Sequence, residues 1–430
     1  MYQPLKLSTE GVANVMRRTT LLSACPLARC AASPMSRQRG FSLVEVMVGL
    51  LISLIGTLAM MTAFATFEGQ KRTTTSGSDA QQAGSYSLYE MERQLRTAGS
   101  GVIQGRSATY TIFACRINAR TSGAAVMPPA TLPAPFAAVP LTVRAIPALV
   151  YGGGKDAGGK ALSDMIAVVS GNPTARTFGA PVNPPTSAAT IVMTDSAFGM
   201  YPKEYLLASD GVVGADGSVA CNLGHVASVV DNPTDPNNKT VTFDAPNTTA
   251  GGYMTTPAQK YLFDLGVNPI FSLFGVDATS NTLVAFDLLQ RNGNAPVAIA
   301  DGVVLVKALY GVDDGAGGGT ANDGVIDEWV VPTAGTTWGA DTLGNGSAAS
   351  AVSISQILAI RVAVVARSQL PERTISADPV NGYAGPPPIT LFPDLAAAGL
   401  TFSVKTEPQY RYKTYDTTIP LHNAAVRLVQ

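Results

Sequence analysis

Residues 41–67 read FSLVEVMVGLLISLIGTLAMMTAFATF, and this segment decides the architecture of the chain. From Val46 to Phe67 it contains 22 residues and no charged side chain. At about 1.5 Å per residue a helix of this length covers roughly 33 Å, enough to cross a hydrocarbon core of about 30 Å. The run is also longer than the roughly 7–15 apolar residues of a secretory signal peptide. The segment therefore predicts a membrane-spanning helix.

Basic residues on either side of this segment predict its orientation. Arg37 and Arg39 come directly before it, and the positive-inside rule keeps such residues in the cytoplasm. Lys71 and Arg72 on the far side weaken the bias without cancelling it. We therefore predict a single-pass protein with a cytoplasmic N-terminus and with residues 68–430 exported.

Glu45 is the one charged residue near the start of the apolar run. An ionised side chain at the centre of a spanning helix costs about 2.5–3.5 kcal/mol on insertion scales, and less near an end. One interpretation is that Glu45 reaches the lipid headgroups from the helix start. The other is that it pairs with a cation, and a cut between Gly40 and Phe41 would create one, a free α-amine. In a bundle of subunits, the Glu45 carboxylate of one subunit could then neutralise a neighbour's N-terminus.

The stretch Arg39–Met47, RGFSLVEVM, resembles the cleavage and methylation signal of type IV pilins and pseudopilins. The family pattern is a basic leader that ends in Gly, then Phe, then a hydrophobic helix with Glu at its fifth residue. The resemblance implies that a prepilin peptidase cuts after Gly40 and methylates Phe41. It also implies that Glu45 guides the subunit into a growing fibre.

The predicted leader, residues 1–40, is longer than pilin leaders usually are. Translation from Met35 would give MSRQRG, a leader of the expected length, and both starts remain open. Cys25 and Cys30 are lost with the leader in either case, and this lone pair does not argue for a metal site.

Residues 68–99 are predicted to continue the same helix beyond the membrane. An apolar stripe at helical spacing supports this, with Tyr86, Leu88 and Tyr89 widening a row formed by Ala80, Ala83, Ser87, Met91 and Leu95. Gly99 and Gly101 are the expected stop. Poor helix propensity over Thr73–Ser78 predicts a local break there.

Residues 100–430 predict a β-rich periplasmic domain, because short apolar runs alternate with turn signals. Two runs, Ile270–Val276 and Thr282–Leu288, predict a hairpin, and Ile357–Ala366 predicts a central strand. The Pro-rich segments Met127–Pro140 and Asn172–Pro185 predict irregular surface loops. The fold class is therefore α+β, with a long N-terminal helix packed on a mostly antiparallel sheet. The other predicted strands are Met165–Val169, Ala189–Met193, Tyr205–Ala208, Val226–Val230, Thr240–Phe243 and Val303–Tyr310.

Short blocks between residues 300 and 423 resemble PilW-type minor pilins; they are Ala300–Val303, Leu309–Asp313, Ile360–Ser368, Tyr410–Lys413 and Thr417–Leu421. This resemblance implies a structural protein of a type IV pilus, in a priming or tip complex. Its implied partners are other minor pilins, the major pilin, the prepilin peptidase and inner-membrane lipid, and its implied final location is the pilus at the cell surface. Residues 102–269 contain no block of this kind.

Cys115 and Cys221 are the two cysteines that remain after removal of the leader. An even count in an oxidising compartment favours a disulfide, with two separate buried thiols as the alternative.

An acidic, glycine-rich stretch over residues 313–327 is a candidate calcium loop, with Asp313, Asp323 and Asp327 as ligands. The pattern is incomplete, because Val330 stands where an EF-hand loop needs a bidentate Glu. The alternative is an exposed hairpin tip made of turn residues. No other cofactor is expected.

Composition argues against two other classes of function. The chain has 29 Lys and Arg against 30 Asp and Glu, so it lacks the basic surplus of a nucleic-acid-binding protein. It has two His and no recognisable nucleophile, zinc or phosphate-loop motif, so we do not expect an enzyme. Two alternatives stay open: a type II secretion pseudopilin, and a periplasmic adhesin or enzyme that keeps residues 41–67 as an uncleaved anchor.

Overall fold

The computed structural model describes residues 40–102, 112, 114–121, 124–156, 160–173, 179–182, 189–193, 199–209, 220–231, 239–244, 261–291, 293–371 and 388–425. Residues 1–39 of the predicted leader lie outside this range. The chain divides into two compact units, Met1–Phe64 and Ala65–Gln430. The first unit contributes the start of a long helix, and the second contains the rest of that helix and the β-sheets.

The long helix, α1, runs without interruption over Leu43–Thr97. The predicted break at Thr73–Ser78 is therefore wrong. Each residue of low propensity costs only some tenths of a kcal/mol in a helix, and Gly about 1, which neighbouring turns can offset. The Thr74 hydroxyl donates to the Gln70 carbonyl at 3.0 Å, so this polar group is satisfied within the helix. The helix ends before Gly99, whose φ of 81° is left-handed, as the predicted glycine stop requires.

Three further helices and nineteen strands follow α1 in the described residues. The helices are α2 Ala340–Leu343, α3 Ala348–Gln356 and α4 His422–Ala425. The strands are β1 Arg116–Thr121, β2 Ala124–Met127, β3 Ala148–Tyr151, β4 Met165–Ser170, β5 Ala180–Pro181, β6 Thr190–Val192, β7 Tyr205–Ser209, β8 Ala220–Asp231, β9 Lys239–Phe243, β10 Tyr261–Asp264, β11 Ile270–Asp277, β12 Thr282–Asp287, β13 Val297–Asp301, β14 Val303–Val312, β15 Glu328–Val330, β16 Ile357–Arg367, β17 Ile389–Leu391, β18 Phe402–Val404 and β19 Tyr412–Pro420.

These strands form four sheets within the described residues. An eight-stranded sheet has the order β2-β1-β8-β7-β10-β5, and β9 and β6 extend it from β8. A five-stranded sheet has the order β13-β12-β11-β4-β3, a four-stranded sheet the order β15-β14-β16-β19, and β17 pairs with β18. Every strand pair is antiparallel except β1 with β8. The predicted α+β class is confirmed, and β16 is the central strand that its β-branched residues predicted.

The hairpin between β11 and β12 is also confirmed. Asp277 pairs with Thr282, so the turn has four residues rather than the predicted five.

One Pro-rich segment, Met127–Pro140, was predicted as an irregular surface loop or linker. Its backbone is irregular apart from the end of β2 and one short 3₁₀ turn, but it does not lie wholly on the surface. Met127 is buried, and Phe136 is fully buried beneath the sheet, where its ring faces that of Phe286 at 6.2 Å. Proline prevents regular strand pairing but does not keep neighbouring apolar side chains in water. Of the second segment, Asn172–Pro185, only part is described, and it includes the short strand β5.

The second half of α1 packs on the sheets through a narrow face. Met91 and Leu95 belong to a core cluster that also contains Tyr310 of β14 and Ile360 of β16. The buried positions of this half-helix are Ser76, Ala80, Gly84, Ser87, Met91, Leu95 and Ala98. Tyr86 and Tyr89 are 46% and 58% exposed, so the prediction that they widen the stripe is wrong.

Gly84 lets the helix approach the four-stranded sheet closely. A Cβ atom at this position would lie 2.5 Å from the ring of Tyr415 on β19, a distance that requires the ring to move. Gly77 lies about two helical turns before Gly84, and a Cβ atom there would have nothing within 4 Å.

We expect Gly84→Ala to destabilise the protein by about 1–3 kcal/mol through overpacking, although alanine favours a helix by about 0.5–1 kcal/mol. Urea unfolding of the full chain in detergent measures the change. The matched control, Gly77→Ala, should be neutral or stabilising. Adding Tyr415→Ala to Gly84→Ala should remove the difference between the two sites, and persistence of that difference would contradict the proposed contact.

A buried ion pair joins the five-stranded and four-stranded sheets. The Nζ of Lys307 on β14 lies 2.5 Å from Oδ1 of Asp164, which precedes β4, and both side chains are 2% exposed. The Asp164 carboxylate also accepts hydrogen bonds from the backbone N–H groups of Gly153 and Ala308 at 2.8 and 2.9 Å. Burial raises the pKa of Asp164, and Lys307 together with the two N–H groups opposes that shift. The two charges can therefore be buried because each neutralises the other.

We expect Lys307→Met to cost about 3–5 kcal/mol of stability, because it leaves the Asp164 carboxylate buried without a counter-ion. The double variant Lys307→Met with Asp164→Leu should recover much of the loss. Denaturant midpoints of the three proteins test this, and a double variant that is less stable than the single one would contradict the interpretation.

Candidate functional site

The Gly40–Phe41 peptide bond lies just before α1 in non-helical backbone. The helix begins at Leu43, and its first backbone bond there runs from the Val46 N–H to the Ser42 carbonyl at 3.1 Å. The side chain of Phe41 is 81% exposed, and a Cβ at Gly40 would have nothing within 4 Å. A protease needs a segment that is accessible and not hydrogen-bonded in a helix, and this bond meets both requirements.

Glu45 lies in the first turn of α1. An acid at this end of a helix is stabilised by the helix dipole, typically by about 0.3–1 kcal/mol. Among the described residues no cation forms an ion pair with its exposed carboxylate. Glu45 is therefore available to a charge that the described part of the chain does not supply.

The apolar helix presents an uninterrupted hydrophobic surface. Its large apolar side chains from Phe41 to Phe67 are 49–81% exposed. The hydroxyl groups of Ser53, Thr57 and Thr62 each donate at 2.9 Å to the carbonyl three residues earlier, so the helix satisfies them internally. Within the described residues, α1 is the one helix long and apolar enough to cross a membrane. Such a surface is stable only in lipid or against other apolar helices.

A polar clamp holds the far end of α1 and was not predicted. Asn423 Nδ2 donates to the carbonyls of Thr97 and Ala98 at 3.2 and 3.1 Å. Ser170 Oγ donates to the Thr97 carbonyl at 2.5 Å, and the Gly99 N–H donates to the Val169 carbonyl at 2.8 Å. The last carbonyls of a helix have no partner within the helix, and these groups supply one. No local pattern indicates a cap that comes from more than 300 residues away.

Two family models match this chain. Residues 273–423 match "Type IV Pilus-assembly protein W", and residues 35–61 match "Prokaryotic N-terminal methylation motif". Over these two segments the chain is similar to a PilW-like type IV pilin. The two matches and the long apolar helix indicate a membrane-anchored, pilus-associated protein. No curated protein and no solved structure matches the chain.

The match to the PilW family covers part of the sheet structure that receives the second half of α1; β3, β4 and the start of β11 lie before it. It includes β12–β19, and so the whole four-stranded sheet with Lys307 and Tyr415. The eight-stranded sheet is made of residues before position 265 and lies outside both matches. The eight-stranded sheet therefore lies, in sequence, between the two matched segments.

The structure does not gather the candidate calcium ligands of the pilin into a metal site. Asp313 accepts hydrogen bonds from the backbone N–H groups of Asn322 at 2.5 Å and Gly324 at 2.7 Å, and Asp327 accepts from Gly315 at 2.7 Å. Asp323 accepts from Val325, within its own turn. In the part of the chain that the structure describes, no three metal-ligating side chains come together.

The acidic loop of the pilin is instead the tip of a hairpin. It connects β14 to β15, where Val312 pairs with Glu328. Its carboxylates stabilise the turns because glycine-rich backbone leaves many N–H groups without a ladder partner.

A disulfide joins Cys115 to Cys221 across 106 residues, with their Cα atoms 5.8 Å apart. Cys115 comes directly before β1, and Cys221 lies in β8, the strand that pairs in parallel with β1. Both residues are fully buried. The bridge therefore fixes the start of the eight-stranded sheet to its longest strand.

We expect Cys115→Ala with Cys221→Ala to lower the stability of the pilin by about 2–5 kcal/mol, because a bridge across a long loop restricts the unfolded chain. Urea unfolding with and without a reductant measures the loss. The reductant should shift the midpoint of the wild-type protein and leave that of the double variant unchanged. Equal midpoints for all four samples would contradict the prediction.

Proposed function

We propose that this chain is a minor pilin, which is stored in the inner membrane through residues 41–67 and then assembled into a type IV pilus. One observation carries the proposal. An accessible Gly40–Phe41 bond is followed by an acid in the first helical turn and then by a fully exposed, uncharged helix. The basic residues before the helix favour an orientation in which the N-terminus is cytoplasmic and residues 68–430 are periplasmic.

Processing prepares the helix for assembly. A prepilin peptidase hydrolyses the Gly40–Phe41 bond, which releases the leader and leaves the Phe41 α-amine as the new N-terminus. Methylation of this amine keeps its positive charge at neutral pH. The helix then carries a cation at its first residue and the Glu45 carboxylate at its fifth.

The acid and the amine set the axial position of the subunit. Lipid tails are as apolar as the helix surface, so transfer of the helix from lipid to a bundle of helices gains little hydrophobic free energy. An unpaired charge in an apolar surrounding is costly, whereas a close pair is tolerated. The register that brings Glu45 to a neighbouring α-amine is therefore favoured over registers displaced along the helix.

The proposed partners are other minor pilins and the major pilin, in a priming or tip complex. The N-terminal motif is shared by type IV pilins and type II secretion pseudopilins, so it does not distinguish between them. The match to the PilW family supports a type IV pilus. The additional eight-stranded sheet also supports a position at the end of a fibre, where a large exported unit has few neighbours. The role in this proposal is structural and needs no catalytic residue.

We expect the chain recovered from surface fibres to begin at N-methylated Phe41, as intact mass and N-terminal peptide analysis would show. Glu45→Val should be cleaved normally but should reduce the number of surface fibres on the order of tenfold or more, because the buried amine loses its partner. Glu68→Val, an acid at the other end of the apolar run, is the matched control and should assemble normally.

Three results would overturn the proposal. Fibre-associated chain with an uncut Gly40–Phe41 bond would identify residues 41–67 as a simple anchor of an adhesin or enzyme. Full piliation with Glu45→Val would remove the role assigned to the carboxylate. Normal piliation after deletion of the whole gene, together with loss of protein secretion, would identify a pseudopilin instead.

A further inference from the structure

A cleft of about 670 Å³ lies between the last turns of α1 and the sheet that contains β11 and β12. The lining includes Arg93 and Gln94 from α1, Ile270 and Ser272 from β11, Asp287 at the end of β12, and Arg291 in the turn that follows. All of them belong to the compact unit Ala65–Gln430. The volume is within the range of about 300–1,000 Å³ that is typical of ligand sites.

The floor of the cleft is a part of the sheet face that the core leaves open. Ile270, Ser272 and Phe274 share one face of β11, because alternate residues of a strand point the same way. Phe274 is buried in the same cluster as Met91 and Leu95, whereas Ile270 and Ser272 are half-buried and line the cleft. The floor therefore offers a small apolar contact beside a hydroxyl group.

The guanidinium groups of the cleft keep N–H donors that could bind an anion. Each already pairs with one carboxylate, Arg93 with Glu90 and Arg291 with Asp287. Both oxygens of Asp287 accept hydrogen bonds, from Arg291 Nε at 2.9 Å and the Leu289 N–H at 3.1 Å. Arg93 donates one bond, from Nη2 to Glu90 at 2.7 Å. Within the described residues the terminal amino groups of Arg291 have no hydrogen-bond partner, so they can receive a carboxylate in the forked geometry that arginine prefers.

The cleft also contains an acceptor that has no donor. The Oε1 atom of Gln94 is buried and has no hydrogen-bond partner within the described part of the chain. A buried polar atom without a partner is rare in folded proteins, and a bound ligand that donates a hydrogen bond would satisfy it. A ligand for this cleft should therefore present an N–H donor a short distance from its carboxylate.

We propose that this cleft binds an acidic peptide segment of a neighbouring pilus subunit. The Asp or Glu carboxylate of that segment binds Arg93 and Arg291, its backbone N–H donates to Gln94 Oε1, and its aliphatic stem contacts Ile270. A single acidic residue of a peptide carries all three groups. The choice of a pilus subunit as the source rests on the function proposed above.

Photocrosslinking in cells that assemble pili tests this on the full chain. The probe is p-benzoylphenylalanine at Asn268, an exposed residue at the rim of the cleft, with the same probe at the exposed Val325 of the β14–β15 hairpin as the position control. We expect the Asn268 probe alone to form an adduct that mass spectrometry assigns to a pilin-type subunit, at a peptide with Asp or Glu. Arg291→Gln should reduce this adduct at least fivefold, and Arg291→Lys should restore part of it.

Gln94→Leu separates binding from a merely structural role. It removes an acceptor that the isolated fold leaves unsatisfied, so the melting temperature should stay the same or rise while the adduct falls at least threefold. A structural residue would show a lower melting temperature together with the weaker adduct.

Three outcomes would overturn the proposal: no adduct from Asn268, an adduct with lipid or with a protein that is not a pilus subunit, or an adduct that neither Arg291→Gln nor Gln94→Leu changes. The N-terminus of the chain is read in the same cells. If Phe41 is the processed N-terminus and the adduct is absent, only the cleft assignment fails. If Phe41 is never exposed as an N-terminus, the proposed function fails, and the peptide source falls with it.

Discussion

The exposed apolar surface of residues 41–67 is the constraint on which the rest of this protein depends. All of its large side chains are apolar and outward-facing, and its few hydroxyl groups are bonded to the helix backbone. Water cannot solvate such a surface without a large hydrophobic penalty. Lipid and a bundle of similar helices solvate it about equally well, so one helix can serve as a membrane anchor and as the core of a fibre. In the proposed function, the pairing of Glu45 with a neighbouring α-amine decides between the two.

The second half of α1 makes this helix part of a folded unit. Met91 and Leu95 enter the core, Gly84 allows a close approach to Tyr415, and Asn423 holds the last carbonyls. Hydrophobic burial holds this half in place. A buried Lys307–Asp164 pair and the Cys115–Cys221 bridge stabilise the sheets farther from the helix. Tension applied along α1 would therefore reach the sheets through a narrow, well-packed face.

Long, strongly periodic segments were predicted well, and segments defined by distant partners were not. The strand β16 and the hairpin of β11 and β12 were visible in the chain because their β-branched runs are bounded by turn residues. The burial of Phe136 in the Pro-rich segment was missed because it depends on packing against Gly275 of β11 and Phe286 of β12. Tyr86 and Tyr89 were assigned to the buried face of α1 because they are aromatic. The sequence does not show which face of the helix contacts the sheets, and both side chains are exposed. The clamp by Asn423 and the cleft around Gln94 had no local signal at all.

By itself the sequence determined that a helix long and apolar enough to cross a membrane starts near residue 43, that an N-terminal methylation motif overlaps its start, and that an α+β unit follows. These properties are local, since they depend on apolar length, on residue spacing and on charge. Only the tertiary structure decided which face of α1 is buried and how the carboxylates of the Asp313 loop are used. It also decided which polar groups meet between the helix and β11. Those outcomes depend on contacts between residues that are far apart in the chain. A short sequence pattern contains no information about which distant side chains the fold brings into contact.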